Sequence, residues 1–116
     1  KIKLIIAFGS QTKGVPTENS DFDVAFFAEK PLNLNERIEL KIRLAGEFGI
    51  NEDKIDLVDL RDASPLLEYQ IAQNGKLLLG DKTDFLRFRI LAWKRYLDTA
   101  KFRRAREAAL IKRYAE

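Results

Sequence analysis

The feature that most constrains this chain is a pair of apolar runs joined by a turn-rich segment that ends in two aspartates. The first run, Leu4 to Phe8, stops at Gly9-Ser10, and the second run follows Asp21-Phe22-Asp23. Apolar runs of this length, bounded by glycine, proline and asparagine, predict buried strands joined by a loop. The residues leave open whether the loop closes a hairpin or forms a short helical crossover.

The aspartates of this segment have a spacing that favours a shared function. Asp21 and Asp23 are two residues apart, so a strand would direct both side chains to one face. Carboxylates this close repel each other unless a proton, a basic group or a divalent cation lies between them. Asp56 interrupts a third apolar run, where an unpaired charge would be costly. Three carboxylates on adjacent strands would make an oxygen site suited to Mg²⁺.

The glycine-serine turn supplies the complementary half of such a site. Gly9 lets the backbone approach a ligand closely, and successive backbone N–H groups with the Ser10 hydroxyl can bind a phosphate. Lys13 adds a positive charge in the same loop. The combination predicts phosphoryl or nucleotidyl transfer, in which a metal held by aspartates bridges a triphosphate and lowers the pKa of an attacking hydroxyl. Either half alone is also typical of an ordinary turn.

Composition excludes the competing chemistries. The 116 residues include no cysteine and no histidine, which excludes thiolate nucleophiles, histidine bases and zinc held by Cys or His. The metals that remain are hard cations such as Mg²⁺, Mn²⁺ or Ca²⁺. The absence of cysteine also fits a cytoplasmic protein. The sequence contains no apolar run of 18 residues, so no membrane span is predicted.

The length fits a single domain, with further elements predicted along the chain. They are a helix from Leu34, capped by Asn33 with Glu36, to Gly49; a strand over Lys54–Leu60; a helix from Pro65, capped by Ser64, to Asn74; a strand over Lys76–Leu79; and one long helix from Thr83 to the end. In the last helix an apolar stripe is predicted to face the core: Leu86, Ile90, Trp93, Leu97 and Ala100. Because the chain contains no methionine, we expect it to be part of a longer protein with an element before Lys1.

Charge divides the domain, residues 1–116, into a predicted catalytic core, residues 1–81, and a C-terminal helical extension, residues 82–116. The core carries 10 Lys and Arg against 14 Asp and Glu, whereas the extension carries 11 against 4. The basic extension would attract a phosphate, a nucleic acid or an acidic protein face. An ordinary solvated helix face would have the same composition.

Three motifs resemble a known family. Gly9-Ser10, ten intervening residues and Asp21-Phe22-Asp23 resemble the nucleotidyltransferases of the DNA polymerase β superfamily, in particular their minimal MNT-domain branch. The segment Ile55–Leu60 resembles the strand that carries the third acidic residue of that superfamily. The pattern that follows it, Leu66-Leu67-x-Tyr69-x-Ile71-Ala72-x-x-Gly75-x-x-Leu78, resembles the corresponding MNT segment.

The resemblance implies an α/β (α+β) nucleotidyltransferase fold, with a small mixed sheet of about four strands flanked by helices and a long C-terminal helix. It implies that Asp21, Asp23 and Asp56 are the catalytic and metal-binding residues around two Mg²⁺ ions, with Mn²⁺ as the alternative. Gly9 and Ser10 would bind the triphosphate of ATP, and Lys13 and Ser20 would complete the nucleotide site, Ser20 by orienting the loop. Asp59, three residues after Asp56, is the less favoured third ligand.

MNT-domain proteins are typically antitoxins, so the resemblance implies transfer of AMP from ATP to a tyrosine of a HEPN-domain RNase toxin. Three alternatives remain open from the sequence. The chain could be an antitoxin that acts by docking alone, with a relic site. It could be a small-molecule nucleotidyltransferase of the aminoglycoside type, although such enzymes usually carry a second domain. The basic extension could also bind RNA directly, which a steep salt dependence would reveal.

Overall fold

A computed structural model of the chain describes residues 1–9 and 22–115, and confirms the predicted mixed sheet of four strands flanked by helices. The elements are β1 (Ile2–Phe8), β2 (Phe22–Ala28), α1 (Leu34–Phe48), a short 3₁₀ turn (Glu52–Lys54), β3 (Ile55–Asp59), α2 (Pro65–Asn74), β4 (Lys76–Leu79), α3 (Lys82–Asp98) and α4 (Ala100–Tyr114). Among the helices that the structure describes, none combines the length and apolarity that a membrane crossing requires.

The sheet has the strand order β3-β2-β1-β4. β1 is antiparallel to both β2 and β4, whereas β2 and β3 are parallel. Parallel neighbours need a long crossover connection, and α1 supplies it. The antiparallel pairing of β1 with β2 is the arrangement of a hairpin, although the residues that connect the two strands lie outside the described ranges.

The helix signals predicted from the sequence are present in the structure. Asn33 accepts a hydrogen bond from the Glu36 backbone N–H at 2.8 Å, and the Glu36 carboxylate accepts one from the Asn33 N–H at 2.9 Å, which makes a reciprocal capping box. Gly49 ends α1 in the left-handed conformation, with φ of 69°. Ser64 caps α2 through the Leu67 N–H at 3.2 Å, with Pro65 in the first helical position.

Each face of the sheet has its own apolar core. On one face, Val24 and Phe26 pack with α1 residues Leu40 and Leu44. On the other face, Ala25 packs with Ile71 of α2, and the cluster extends to Phe85 and Phe88 of α3. Because successive strand residues point to opposite faces, the uninterrupted apolar run of β2 is what a strand covered on both sides requires.

The prediction of one long C-terminal helix was wrong, because the segment forms two helices that meet at Thr99. The Thr99 hydroxyl donates to the Arg95 carbonyl oxygen at 2.9 Å, a bond that competes with the helical ladder and often bends helices. Arg103 donates to the Tyr96 carbonyl oxygen at 2.6 Å. Its guanidinium also lies 3.8 Å from the Tyr96 ring centroid, which holds the junction in place.

The predicted orientation of the C-terminal apolar stripe was also wrong. Four of its members are about half-exposed: Leu86 55%, Ile90 55%, Trp93 54% and Leu97 51%. The face of α3 that meets the core carries Phe85, Phe88 and the fully buried Ala92, and Tyr96 stacks on Tyr69 of α2 with ring centroids 3.9 Å apart. Both sets recur at helical spacing, so periodicity alone could not tell which set faces inward.

A buried carboxylate fastens α2 to α3. Glu68 is only 5% exposed and accepts a hydrogen bond from Arg95 at 2.8 Å. Burial raises the pKa of Glu68, and the attraction of Arg95 offsets this only in part. The Arg95 side chain is 56% exposed, so water screens its charge.

The raised pKa of Glu68 predicts that this group makes the fold less stable as the pH rises. The folded state binds the Glu68 proton more tightly than the unfolded state does, so ionisation between the ordinary glutamate pKa and the raised one costs stability. We therefore expect Glu68→Gln to gain stability relative to the unaltered chain as the pH rises from about 4 to 7. Denaturant unfolding of both chains across this range measures the difference. A difference that is flat with pH would show that Arg95 balances the effect of burial, and one that falls would show that Arg95 outweighs it.

Candidate active site

Two of the predicted site carboxylates are brought together by the pairing of β2 with β3. Asp23 and Asp56 are partners in the parallel register, so their backbones lie about 4.8 Å apart in the hydrogen-bonding direction. Asp23 is half-buried, whereas Asp56 is exposed. Residues paired on neighbouring strands point to the same face. The two side chains therefore lie side by side, at the end of the sheet where β2 and β3 begin.

The face on which the carboxylates lie follows from their neighbours. Ala25, two residues after Asp23, and Val58, two residues after Asp56, both belong to the cluster that packs against α2 and α3. Side chains two residues apart share a face. The carboxylate pair therefore lies on the α2–α3 side of the sheet, beyond the end of that core.

The backbone conformation of Gly9 and the space around it both require a glycine beside the carboxylate pair. It follows the last residue of β1, Phe8, which is the register partner of Asp23. Its φ is +85°, and a Cβ atom built on it would overlap the Oδ2 atom of Asp23. Only glycine adopts this backbone conformation routinely. Any side chain here would displace the Asp23 carboxylate.

Asp59, the less favoured third ligand, has a different environment. It is 6% exposed, lies 3.4 Å from the Arg37 guanidinium and accepts the Arg61 backbone N–H at 2.9 Å. These contacts satisfy the buried charge and join β3 to α1. Asp59 also lies on the opposite face from Asp56, because the two are three positions apart on the strand.

The remaining predicted site residues lie outside the described residues: Ser10, Lys13, Ser20 and Asp21. Within residues 1–9 and 22–115, no group of three acidic residues could hold a metal ion. Asp23 and Asp56 nevertheless fit one as a partial set. They offer two neighbouring carboxylates, the ligands that Mg²⁺ prefers, and Gly9 has no side chain to fill the space beside Asp23. Asp21 would be the third carboxylate.

One basic residue at this end of the sheet was not among the predicted site residues. Lys76 opens β4 and is the register partner of Ala7, immediately after Gly75. Its neighbour Leu77 packs in the α2–α3 cluster, so the Lys76 side chain is directed to the other face. Lys76 therefore does not face the carboxylate pair.

Two surface cavities among the described residues lie elsewhere. One, of about 480 Å³, lies between α1 and the β1–β4 edge, and the other, of about 500 Å³, lies between α3 and the far ends of the strands. Neither is lined by Asp23 or Asp56. The carboxylate pair is identified here by its chemistry and its register.

Comparison with curated proteins identifies relatives of one kind. The chain is 40% identical over 84 residues to a protein adenylyltransferase, MntA, of Shewanella oneidensis, a match that covers 72% of this chain and 58% of the relative. It is 36% identical over 100 residues to the MntA adenylyltransferase of Aphanizomenon flos-aquae, covering 78% of this chain and 67% of the relative. The chain therefore spans only part of these relatives.

Solved structures show the same similarity in three dimensions. The chain matches a toxin–antitoxin crystal structure with AMP-PNP at a TM-score of 0.80 and 34% identity, covering 96% of this chain and 87% of that one. It also matches a complex of the tri-AMPylated Shewanella oneidensis HEPN toxin with its MNT antitoxin, at a TM-score of 0.73 and 32% identity, covering 96% and 84%.

The model of the polymerase beta nucleotidyltransferase family matches residues 1–84. This span contains β1 to β4 and therefore Gly9, Asp23 and Asp56. The resemblance seen in the glycine-serine and Asp-x-Asp motifs is thereby confirmed, and the chain belongs to the polymerase beta nucleotidyltransferases, as one of their MNT type.

Proposed function

We propose that this chain is an antitoxin that transfers AMP from ATP to a tyrosine of a HEPN-domain RNase toxin. The observation that carries the proposal is the Asp23–Asp56 pair beside Gly9, in a chain 40% identical to an adenylyltransferase. The similar structures with AMP-PNP and with an AMPylated HEPN toxin support the choice of nucleotide and acceptor. Such a partner and ATP would place the activity in the cytoplasm.

In this proposal Gly9, Ser10, Lys13 and Ser20 bind the nucleotide, and Asp21, Asp23 and Asp56 hold two Mg²⁺ ions or, alternatively, Mn²⁺. When bound, the metal would neutralise the triphosphate and favour ionisation of the acceptor hydroxyl. The tyrosine oxygen forms a bond to the α-phosphorus as the bond to the β-phosphate oxygen breaks, and pyrophosphate leaves. Asp56, which is exposed, is the carboxylate that a docked protein hydroxyl could reach, and it accepts the proton.

An antitoxin that acts by docking alone is the second candidate, because α3 presents a half-exposed apolar stripe. The two functions differ in what the aspartate variants do. If docking suffices, variants of Asp23 and Asp56 will still neutralise the toxin, and no AMP mass will appear on it.

One prediction separates the proposed catalytic carboxylate from the structural one on the same strand. We expect Asp56→Asn to lower the rate of AMP transfer at least about 100-fold, the lower range for loss of a proton acceptor, with the free energy of unfolding unchanged because Asp56 is exposed. Asp59→Asn should instead destabilise the fold by about 1–3 kcal/mol, because it weakens the pairing with Arg37. Intact mass spectrometry of the toxin with ATP and Mg²⁺, together with denaturant unfolding, measures both effects.

Equal transfer rates for Asp56→Asn and the unaltered chain would contradict the assignment of Asp56. Loss of transfer in a correctly folded Asp59→Asn chain would instead favour Asp59 as the third ligand.

Another prediction concerns the glycine beside Asp23. Gly9→Ala should lower the transfer rate and destabilise the fold by about 1–2 kcal/mol, because alanine at positive φ is strained and its Cβ would displace the Asp23 carboxylate. Gly46→Ala is the matched control. Gly46 lies within α1 with open space around its Cβ position, so alanine there should stabilise the fold by about 1 kcal/mol and leave transfer intact. Full activity in Gly9→Ala would show that Gly9 does not shape the site.

A further inference from the structure

Helix α3 has two apolar sides, and its own fold uses one of them. Phe85, Phe88 and Ala92 face the core. The other side carries the four half-exposed residues that we call the α3 stripe: Leu86, Ile90, Trp93 and Leu97. Isolated apolar residues on a surface are ordinary, but a continuous row along one helix points to an interaction site.

The spacing of the α3 stripe matches a helical partner. Its members are separated by four, three and four residues, which is the alternation of the a and d positions in a coiled-coil seam. The row extends over about 17 Å of helix axis, equivalent to three helical turns. A second helix laid along it could insert its own apolar side chains between those of the stripe.

The charges beside the α3 stripe decide what kind of helix fits. In the same heptad register, four of the five flanking e and g positions on α3 are basic, and the fifth is Tyr96. The basic flanking positions are Lys82, Arg87, Arg89 and Lys94. Flanking charges set partner choice in such seams. Two copies of this chain would bring basic residues together, whereas a helix with aspartate or glutamate beside its apolar seam would pair with them.

The flanking charges remain accessible in this fold. Arg87 is 74% exposed and lies 4.0 Å from Asp84, at the limit of an ion pair. Arg89 lies 5.9 Å from the Phe85 ring centroid and is exposed, as is Lys94. Arg95, which pairs with the buried Glu68, lies outside the flanking positions.

Helix α4 extends the same type of surface. None of its residues, Ala100–Tyr114, is buried, and it carries six Lys and Arg against one Glu. Phe102, Ile111 and Tyr114 are 65%, 62% and 77% exposed. A helix of this length is marginal in water without tertiary packing. Its composition therefore favours the same kind of partner as the α3 stripe, a helix that carries both acidic and apolar residues.

We infer that the α3 stripe is the docking site for an amphipathic helix of the toxin, with acidic residues beside its apolar seam; this inference rests on the proposed function. The stripe is held at a fixed position relative to the carboxylate pair. Tyr96 stacks on Tyr69, Arg95 binds Glu68, and the inner side of α3 packs on the sheet that carries Asp23 and Asp56. A toxin bound there would be presented to the site in a defined orientation.

The test compares two isoleucines of equal exposure on different helices. Ile90 of the stripe is 55% exposed, and Ile42 of α1 is 53% exposed, so either can become aspartate without placing a charge in the core. With a HEPN-domain toxin as the probe, such as the Shewanella oneidensis toxin of the similar complex, we expect Ile90→Asp to weaken binding at least about 30-fold, as for a central interface residue. Ile42→Asp should change binding less than twofold, and both variants should melt like the unaltered chain. Calorimetry measures the affinities.

A second pair of variants tests the charge argument. Arg89→Glu with Lys94→Glu should weaken binding at least about 10-fold at low salt, and the difference should shrink as salt screens the charges. Arg43→Glu, on the exposed side of α1, is the control and should have little effect. Unchanged binding in the double variant would overturn the acidic character of the partner helix.

The outcomes distinguish this inference from the proposed function. The inference is overturned if Ile90→Asp binds and AMPylates the toxin as the unaltered chain does. It is also overturned if the unaltered chain self-associates and Ile90→Asp disperses it, or if the stripe and flanking variants impair binding to RNA but not to the toxin. If a stripe-dependent complex forms but no AMP mass appears on the toxin, the docking site stands and the proposed transfer fails.

Discussion

The parallel pairing of β2 with β3 is the constraint on which the rest of this structure depends. It places Asp23 opposite Asp56, two carboxylates 33 positions apart in the chain. Because parallel strands cannot be joined by a tight turn, the pairing also requires α1 to cross one face of the sheet. The antiparallel pairing of β1 with β2 then brings Gly9 to the same end of the sheet. Because glycine has no side chain, it leaves room there for the Asp23 carboxylate.

The two acidic residues of β3 show how position on a strand gives the same residue type two different environments. Asp59 is buried and satisfied by Arg37 and the Arg61 backbone, so its charge stabilises the connection between β3 and α1. Asp56 lies three residues earlier, on the opposite face, and is exposed. An aspartate therefore stabilises the fold at position 59 and remains accessible to a ligand at position 56. An alternating strand makes this separation possible without any difference in residue type.

The match to the polymerase beta nucleotidyltransferase family ends near the start of α3, since it covers residues 1–84. Beyond it the chain becomes basic, and its helices have more apolar surface than the core can cover. In the proposed function, the chain has to hold its protein acceptor by some surface other than the nucleotide site. The outer side of α3 and the whole of α4 suit that role because both are basic and partly apolar, and α3 is anchored to the core through α2.

The sequence by itself determined the four strands, the first two helices and their caps, and it predicted the chemistry of the site. Asn33 with Glu36, Ser64 with Pro65 and Gly49 act locally, so local patterns sufficed to predict the helices they bound. The absence of His and Cys excluded rival mechanisms without any structure. Only the tertiary structure decided which side of α3 is buried, because two apolar rows have the same period and packing against α2 and the sheet selects between them. The break at Thr99 depends on Arg103 reaching Tyr96, and the meeting of Asp23 with Asp56 depends on strand register, which is a contact between distant parts of the chain.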